Sequence, residues 1–400
     1  MRLQLALNVE DLDQAIDFYG RALAMIDYDD ALLRLDALHN LGDVLVRIGR
    51  TEEAAVRFNE MLRIAWLFDY TAKGGAAHGR IGRLHRQKGE YDKALDHFRI
   101  ASELFSRSND RRGVASTLSD IGVVHWLRGS YPTALEHHRQ SLSLRRAIGD
   151  KRSIAHSLWS IGVVHRDSGS FKPALEMFRE SMELRREIGD KPGAITSMCE
   201  LGAVHEADGN LDEAMKILSD AYELACDIGD RLLQGEVLGR LADCELDRGH
   251  PEAARQHLDQ ALEIFLQLGS RMGIAECTRR SAEVQLTIGD GAGATIEAKK
   301  SLELAEKLGS LVHVGIAHRV LGAVLGTEAD TPELLARAEH HFRAAIEVLA
   351  ALRNELQLAR TYRGFALLRD QAGATADATK LRMRADEIFG RLQGAAAHKV

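Results

Sequence analysis

Apolar residues recur along the chain in a two-part pattern that repeats every forty residues. The clearest copy, residues 141–181, reads SLSLRRAIGDKRSIAHSLWSIGVVHRDSGSFKPALEMFRES. In the second part a small residue opens a series at spacings of four, three and three. Ala94, Phe98, Ala101 and Leu104 form one such series, and Ala174, Phe178, Ser181 and Leu184 another. Ala214, Leu218, Ala221 and Leu224 repeat it, as do Ala254, Leu258, Ala261 and Ile264. That spacing places all four side chains on one face of an α-helix.

Glycines punctuate the pattern. A Leu-Gly or Ile-Gly pair marks the first part at Gly42, Gly82, Gly122, Gly162, Gly202 and Gly322. A second glycine follows seven residues later at 49, 89, 129, 169, 209, 249 and 289. Each unit closes on Ile-Gly-Asp or Leu-Gly-Ser, at Gly149, Gly189, Gly229, Gly269 and Gly309. Each unit therefore reads as two helices, the second ended by a glycine suited to a left-handed C-terminal cap. Pro132, Pro173, Pro251 and Pro332 fall in the first turn of expected second helices, where a missing N–H is harmless. A period of roughly 20–50 residues marks a repeat architecture.

Length agrees. The chain's 400 residues exceed the roughly 250–300 at which a single core stops growing. With few strand-like alternations, the pattern predicts an all-α solenoid. Charged residues make up 28% with both signs mixed, for a net charge of −7. A general phosphate-backbone binder needs a clustered basic footprint instead, so nucleic acid is not an expected partner. Cys199, Cys226, Cys244 and Cys277 form no metal-ligand spacing and read as reduced thiols. No apolar run nears the roughly 18 residues of a membrane span. The first 15 residues, MRLQLALNVEDLDQA, make a poor signal peptide. A cytoplasmic protein without membrane insertion is expected.

The Leu/Ile-Gly pair, the Gly-x-[Tyr/Phe/Leu]-x-x-Ala joint (Gly89 to Ala94, Gly169 to Ala174, Gly209 to Ala214) and the Phe or Leu four residues on resemble the tetratricopeptide repeat. The resemblance is to its forty-residue form, as in kinesin light chains, spindle-orientation adaptors and bacterial signalling proteins. It implies about eight to nine helical hairpins in a right-handed superhelix. Residues 1–30 would be a partial N-terminal repeat, 31–310 seven regular repeats, and 311–400 degenerate C-terminal repeats and a cap. Residues 10–25 resemble a second helix whose partner would be a vestigial segment at Arg2–Val9 or lost by truncation. Gly326–Pro332 lengthens one joint, and residues 355–371 and 375–391 form the last pair.

Chemistry-bearing patterns are sparse. His85, His125, His165 and His205 recur once per unit beside Ile81, Ile121, Ile161 and Leu201, on a face expected to pack against helices. Helices pack about 8–10 Å apart, whereas metal ligands converge within about 2 Å of one ion. The ladder therefore reads as structural. Gly289-Asp-Gly-Ala-Gly-Ala294 lacks the Lys-Ser/Thr ending of a phosphate loop and falls at an ordinary joint. No catalytic pair, cofactor site or metal site is expected, and the chain reads as no enzyme.

If the units stack as the resemblance implies, the first helices line a concave groove. The positions facing it lie six and three residues before each marker glycine and one and four after it. They give Ala76, Gly79, Arg83 and Arg86; then Ser116, Ser119, Val123 and Trp126; then His156, Trp159, Val163 and Arg166. Further on, Thr196, Glu206, Glu236, Asp243, Glu276 and Glu283 form a mostly acidic run relieved by Arg279. The expected partner is a protein or peptide segment with an apolar anchor on Trp126 and Trp159, since aromatic anchors dominate such interfaces. The alternative use is the ligand-sensing regulatory region of a larger bacterial signalling ATPase, kinase or transcription regulator. Uncapped ends leave room for homo-oligomers. The Asn ladder by which spindle-orientation adaptors hold a peptide backbone keeps only Asn40, with Arg80, Asp120, Ser160, Glu200 and Arg240 in its place.

Overall fold

A computed structural model describes residues 9–27, 30–327 and 329–397 of the chain. Most of the vestigial partner expected at Arg2–Val9 falls outside the described residues. Among the described residues nineteen α-helices follow one another with no strand between them. They begin with α1 (Val9–Met25), α2 (Ala31–Arg47), α3 (Thr51–Leu67), α4 (Thr71–Gln87), α5 (Tyr91–Arg107), α6 (Arg111–Leu127) and α7 (Tyr131–Ile148). Then come α8 (Lys151–Asp167), α9 (Phe171–Glu187), α10 (Lys191–Ala207), α11 (Leu211–Asp227), α12 (Arg231–Asp247) and α13 (Pro251–Gln267). The last are α14 (Arg271–Ile288), α15 (Gly291–Lys307), α16 (Leu311–Thr327), α17 (Pro332–Ala351), α18 (Glu355–Gln371) and α19 (Thr375–Ala397).

The chain divides into two compact units. One is Met1–Val124 with Glu136–Asp150, the other His125–Leu135 with Lys151–Val400. Within each, helices pair as hairpins, such as α4 with α5 and α12 with α13, and each hairpin leans on the next. This is an α-solenoid of helical hairpins.

The punctuation has a local cause at both ends of each joint. Gly189 and Gly229 sit at φ of 70° and 68°, a left-handed conformation that costs glycine nothing. The aspartate after each begins the next helix, accepting from a backbone N–H three residues on: Asp190 from Gly193 at 3.2 Å, Asp230 from Leu233 at 3.1 Å. The Gly-Asp pair thus closes one helix and opens another.

The small residue opening each second helix is fully buried at Ala94, Ala174, Ala214 and Ala254. Four residues on, Phe98, Phe178 and Leu218 fill the space over the marker glycine of the paired helix. A Cβ at Gly82 would lie 2.6 Å from the Phe98 ring, and one at Gly162 2.7 Å from Phe178. The marker is glycine because an aromatic ring occupies the place of its side chain. Ser141 and Ser181 stand where other repeats have alanine, and each donates to a first-helix carbonyl, of Ala115 at 2.7 Å and of Ala155 at 2.9 Å. A buried hydroxyl is tolerated when it is so paired.

Candidate functional site

The first helices contribute the side chains that packing does not consume. In the first unit these build a cavity of about 480 Å³ on α4 and α6, with His39 of α2 at its edge. Ala76 and Gly79 leave it room, and Arg80, Arg83, Ser116 and Asp120 supply its polar wall. Ala76, Gly79, Arg83 and Ser116 are groove positions by the spacing rule, and they share this one cavity.

Its charges are mated. Both Asp120 carboxylate oxygens accept from Arg83, the closest contact being 2.7 Å, and Arg86 reaches the same carboxylate at 3.2 Å. Arg83 also donates to Ser116 Oγ at 3.2 Å. Arg80 donates to Asp43 at 2.7 Å. Burial alone lowers the Arg83 pKa, but Asp120 outweighs it and holds the guanidinium above its ordinary value. The patch expected to be basic is therefore largely neutralised by Asp43 and Asp120.

In the second unit, Trp126 and Trp159 pack against a cluster that includes Val163, Phe178 and Leu201. Val163 is 5% exposed and belongs to the core more than to any surface. The Trp126 indole N–H donates to Asp167 at 2.8 Å. The Trp159 Nε1 is buried without a hydrogen-bond partner, its ring 6.1 Å from His156. His156 itself is exposed. The two tryptophans thus serve inter-helix packing while each keeps part of its surface free.

From Asp167 the polar contacts continue along successive first helices. Arg166 donates to Asp167 at 2.9 Å and to Glu200, and Arg240 approaches Glu200 at 3.9 Å. Arg280 donates to both oxygens of Asp243, at 2.9 and 3.0 Å, and lies 3.4 Å from Glu276. Arg279 bridges Glu276 at 3.2 Å and Glu283 at 3.1 Å. Burial lowers the Arg166 pKa, but Asp167 and Glu200 more than reverse this. Burial, with Asp243 and Asp247 nearby, pushes Glu206 up to about 7 against the pull of Arg240 and Arg280. Glu236 stands exposed. The run read as acidic is an alternating row, because Arg240, Arg279 and Arg280 are threaded through it.

Sequence reasoning named Arg80, Asp120, Glu200 and Arg240 only as residues that had replaced an Asn ladder. In the structure they are the other half of the row. The signal was present: a charge two before one marker meets its opposite one or four after the preceding marker. Asp43 pairs with Arg80, Arg83 with Asp120 and Asp243 with Arg280, each 37 apart, while Arg86 with Asp120 and Arg166 with Glu200 are 34 apart.

The histidine ladder does not converge. His85 hydrogen-bonds Glu90 at the following joint, and His205 is buried in α10. Among the described residues no group of three or more His, Cys, Asp or Glu is placed to hold a metal ion. Nor is any described helix long and apolar enough to cross a membrane. All four cysteines are free thiols, with Cys226 exposed and the others buried.

Solved structures share this architecture. A Rap protein complexed with Competence and Sporulation Factor superposes with a TM-score of 0.63 at 11% identity, covering 92% of this chain and 99% of its own. The Rap conjugation gene regulator of plasmid pLS20, in complex with the Phr* peptide, gives 0.60 at 14% identity, over 85% and 95%. Aspartyl phosphate phosphatase F from Bacillus subtilis gives 0.56 at 12% identity, over 92% and 96%. At these identities the likeness is one of fold. Comparison with curated proteins gives no match. The sequence profile of the tetratricopeptide repeat matches residues 4–65, 75–147, 152–227 and 193–267. With more than half of its length so matched, the chain belongs to the tetratricopeptide repeat family.

Proposed function

We propose that the protein is a cytoplasmic, non-enzymatic scaffold that binds a peptide or protein segment along its first helices. The observation that carries this is the row of mated, partly buried charges those helices present. Ion pairs of this kind cost desolvation and add little net stability, and the alanine–aromatic core holds the hairpins without them. A row of charged donors and acceptors suits exchange with a polypeptide main chain, with Trp126 and Trp159 beside it as apolar anchors. Two of the fold neighbours were solved with a factor or peptide bound, which supports the same use here. Those neighbours also support the second reading, a ligand-sensing region whose occupant controls an effector. A phosphatase among the neighbours makes turnover the opposing outcome to check.

The test is affinity capture by the intact chain from a lysate, with bound peptides and proteins identified by mass spectrometry. A Trp126→Ala/Trp159→Ala variant and a Glu200→Gln variant are run alongside. Species retained by the native chain and lost from both variants are the expected result. Identical capture by all three, or turnover in a broad hydrolase and transferase screen, would overturn the reading.

A further inference from the structure

The repeats themselves serve as controls for one another on the second helices. At the position of Ile100, the repeats in register carry Glu60, Gln140, Glu180, Asp220, Gln260 and Lys300. At the position of Trp66 they carry Ser106, Arg146, Arg186, Cys226, Leu266 and Glu306. Six polar residues out of six at the first site mark it as solvent-facing. The first unit departs from this pattern at both places together: Ile100 is 42% exposed and Trp66 84%.

The two residues flank a cavity of about 780 Å³ lined from α3, α4 and α5. Its apolar wall includes Leu62, Tyr70 and Leu104. Gly74 lies in the floor, where a Cβ would meet only Leu104 at 3.6 Å and Ala65 at 3.8 Å. No close contact demands glycine there, and its effect is to deepen the cavity. Arg63 and Arg107 also line it, with Asp69 as the single acid. The remaining titratable lining group besides Tyr70, His78, is neutral at ordinary pH: burial and the neighbouring His97 lower its pKa to about 4.

We propose that this cavity is a docking surface for an amphipathic helical segment of a partner protein, its apolar anchors seated between Trp66 and Ile100 and its flanks acidic. Apolar anchors one and two turns apart are how a helix occupies a groove. The choice of acidic flanks follows from the excess of arginine at the cavity, which repels a basic segment and steers an acidic one. This surface lies on the second helices and does not rest on the reading of the charged row.

The probe is a fluorescein-labelled synthetic helix of about four turns with leucine at i, i+3/i+4 and i+7 spacing and glutamate elsewhere. A counterpart carries lysine for glutamate. Fluorescence anisotropy on the full chain should show the acidic probe binding at least about tenfold tighter than the basic one. Trp66→Ser/Ile100→Glu introduces residue types that neighbouring repeats already use there, so circular dichroism should be unchanged while acidic-probe affinity falls at least about tenfold. Arg107→Glu should shift preference toward the basic probe. Equal binding of both probes, no binding of either, or full affinity in the double variant would overturn the proposal. So would Trp66-dependent self-association in analytical ultracentrifugation, which would make a second copy of the chain the occupant.

Discussion

Gly162→Ala is the most direct test of the packing rule. The added Cβ would stand 2.7 and 2.8 Å from Phe178 Cε1 and Cδ1, about 1 Å inside comfortable carbon–carbon separation. Phe178 has no exposed surface, so its ring cannot swing into water. Either α8 and α9 move apart or the ring leaves its rotamer, and overpacking of this kind costs about 1–3 kcal/mol. Alanine's better helix propensity returns about 1 kcal/mol, leaving a net destabilisation of roughly 0–2 kcal/mol. Gly162→Leu adds three more carbons to the same space and should prevent the hairpin from forming. Gly239 in α12 is the control. A Cβ there meets Arg280 Nη1 at 3.5 Å, an ordinary contact, so Gly239→Ala should stabilise by up to about 1 kcal/mol. Urea titrations followed by circular dichroism compare midpoints, since stacked repeats need not unfold as one unit. If Gly162→Ala raises the midpoint as Gly239→Ala does, the close approach of Phe178 does not constrain that helix.

Three further outcomes are expected. Asp120→Ala strips Arg83 and Arg86 of their shared carboxylate and should cost about 2 kcal/mol, read as a lower urea midpoint; an unchanged midpoint would mean the pairs are only surface contacts. Glu206 is raised from an ordinary value of 4.5 to about 7, so the folded state binds the extra proton between those values. Its contribution to stability is therefore full below pH 4.5 and lost as pH rises through 7; Glu206→Gln should flatten that part of the stability profile, and an unaltered slope would refute the assignment. Trp126→Ala and Trp159→Ala should each weaken partner capture with helicity retained in circular dichroism. Undiminished capture in both variants would remove the tryptophans from the site.

The hairpins were legible because their determinants are local and recur. Ala174, Phe178 and Gly162 announce a close helix pair from their spacing alone, and the repetition of that spacing removes ambiguity. The aspartate of Ile-Gly-Asp was half-read: its glycine was recognised as a helix end, while the capping role of Asp190 needed a view of the Gly193 N–H. The charged row was harder. A wheel drawn on one helix shows that Arg83 and Glu206 share a face with other groove residues. It does not show that Asp120, two positions before the next marker, comes within 2.7 Å of Arg83, because that contact depends on how two repeats lean together. Val163 was misplaced for a related reason, since a neighbouring helix covers the side of α8 on which it lies.

The spacing of the ion pairs makes the order of the modules matter. Asp43 meets Arg80 with the acid upstream, whereas Arg83 meets Asp120 with the base upstream. Excising residues 44–83 would keep the architecture in phase but set Asp43 abreast of Asp120, two carboxylates in a slot shaped for opposites. Units that look interchangeable by their glycines and alanines are keyed to particular neighbours by charge. Shuffling or shortening the array would be vetoed electrostatically long before it was noticed by the core.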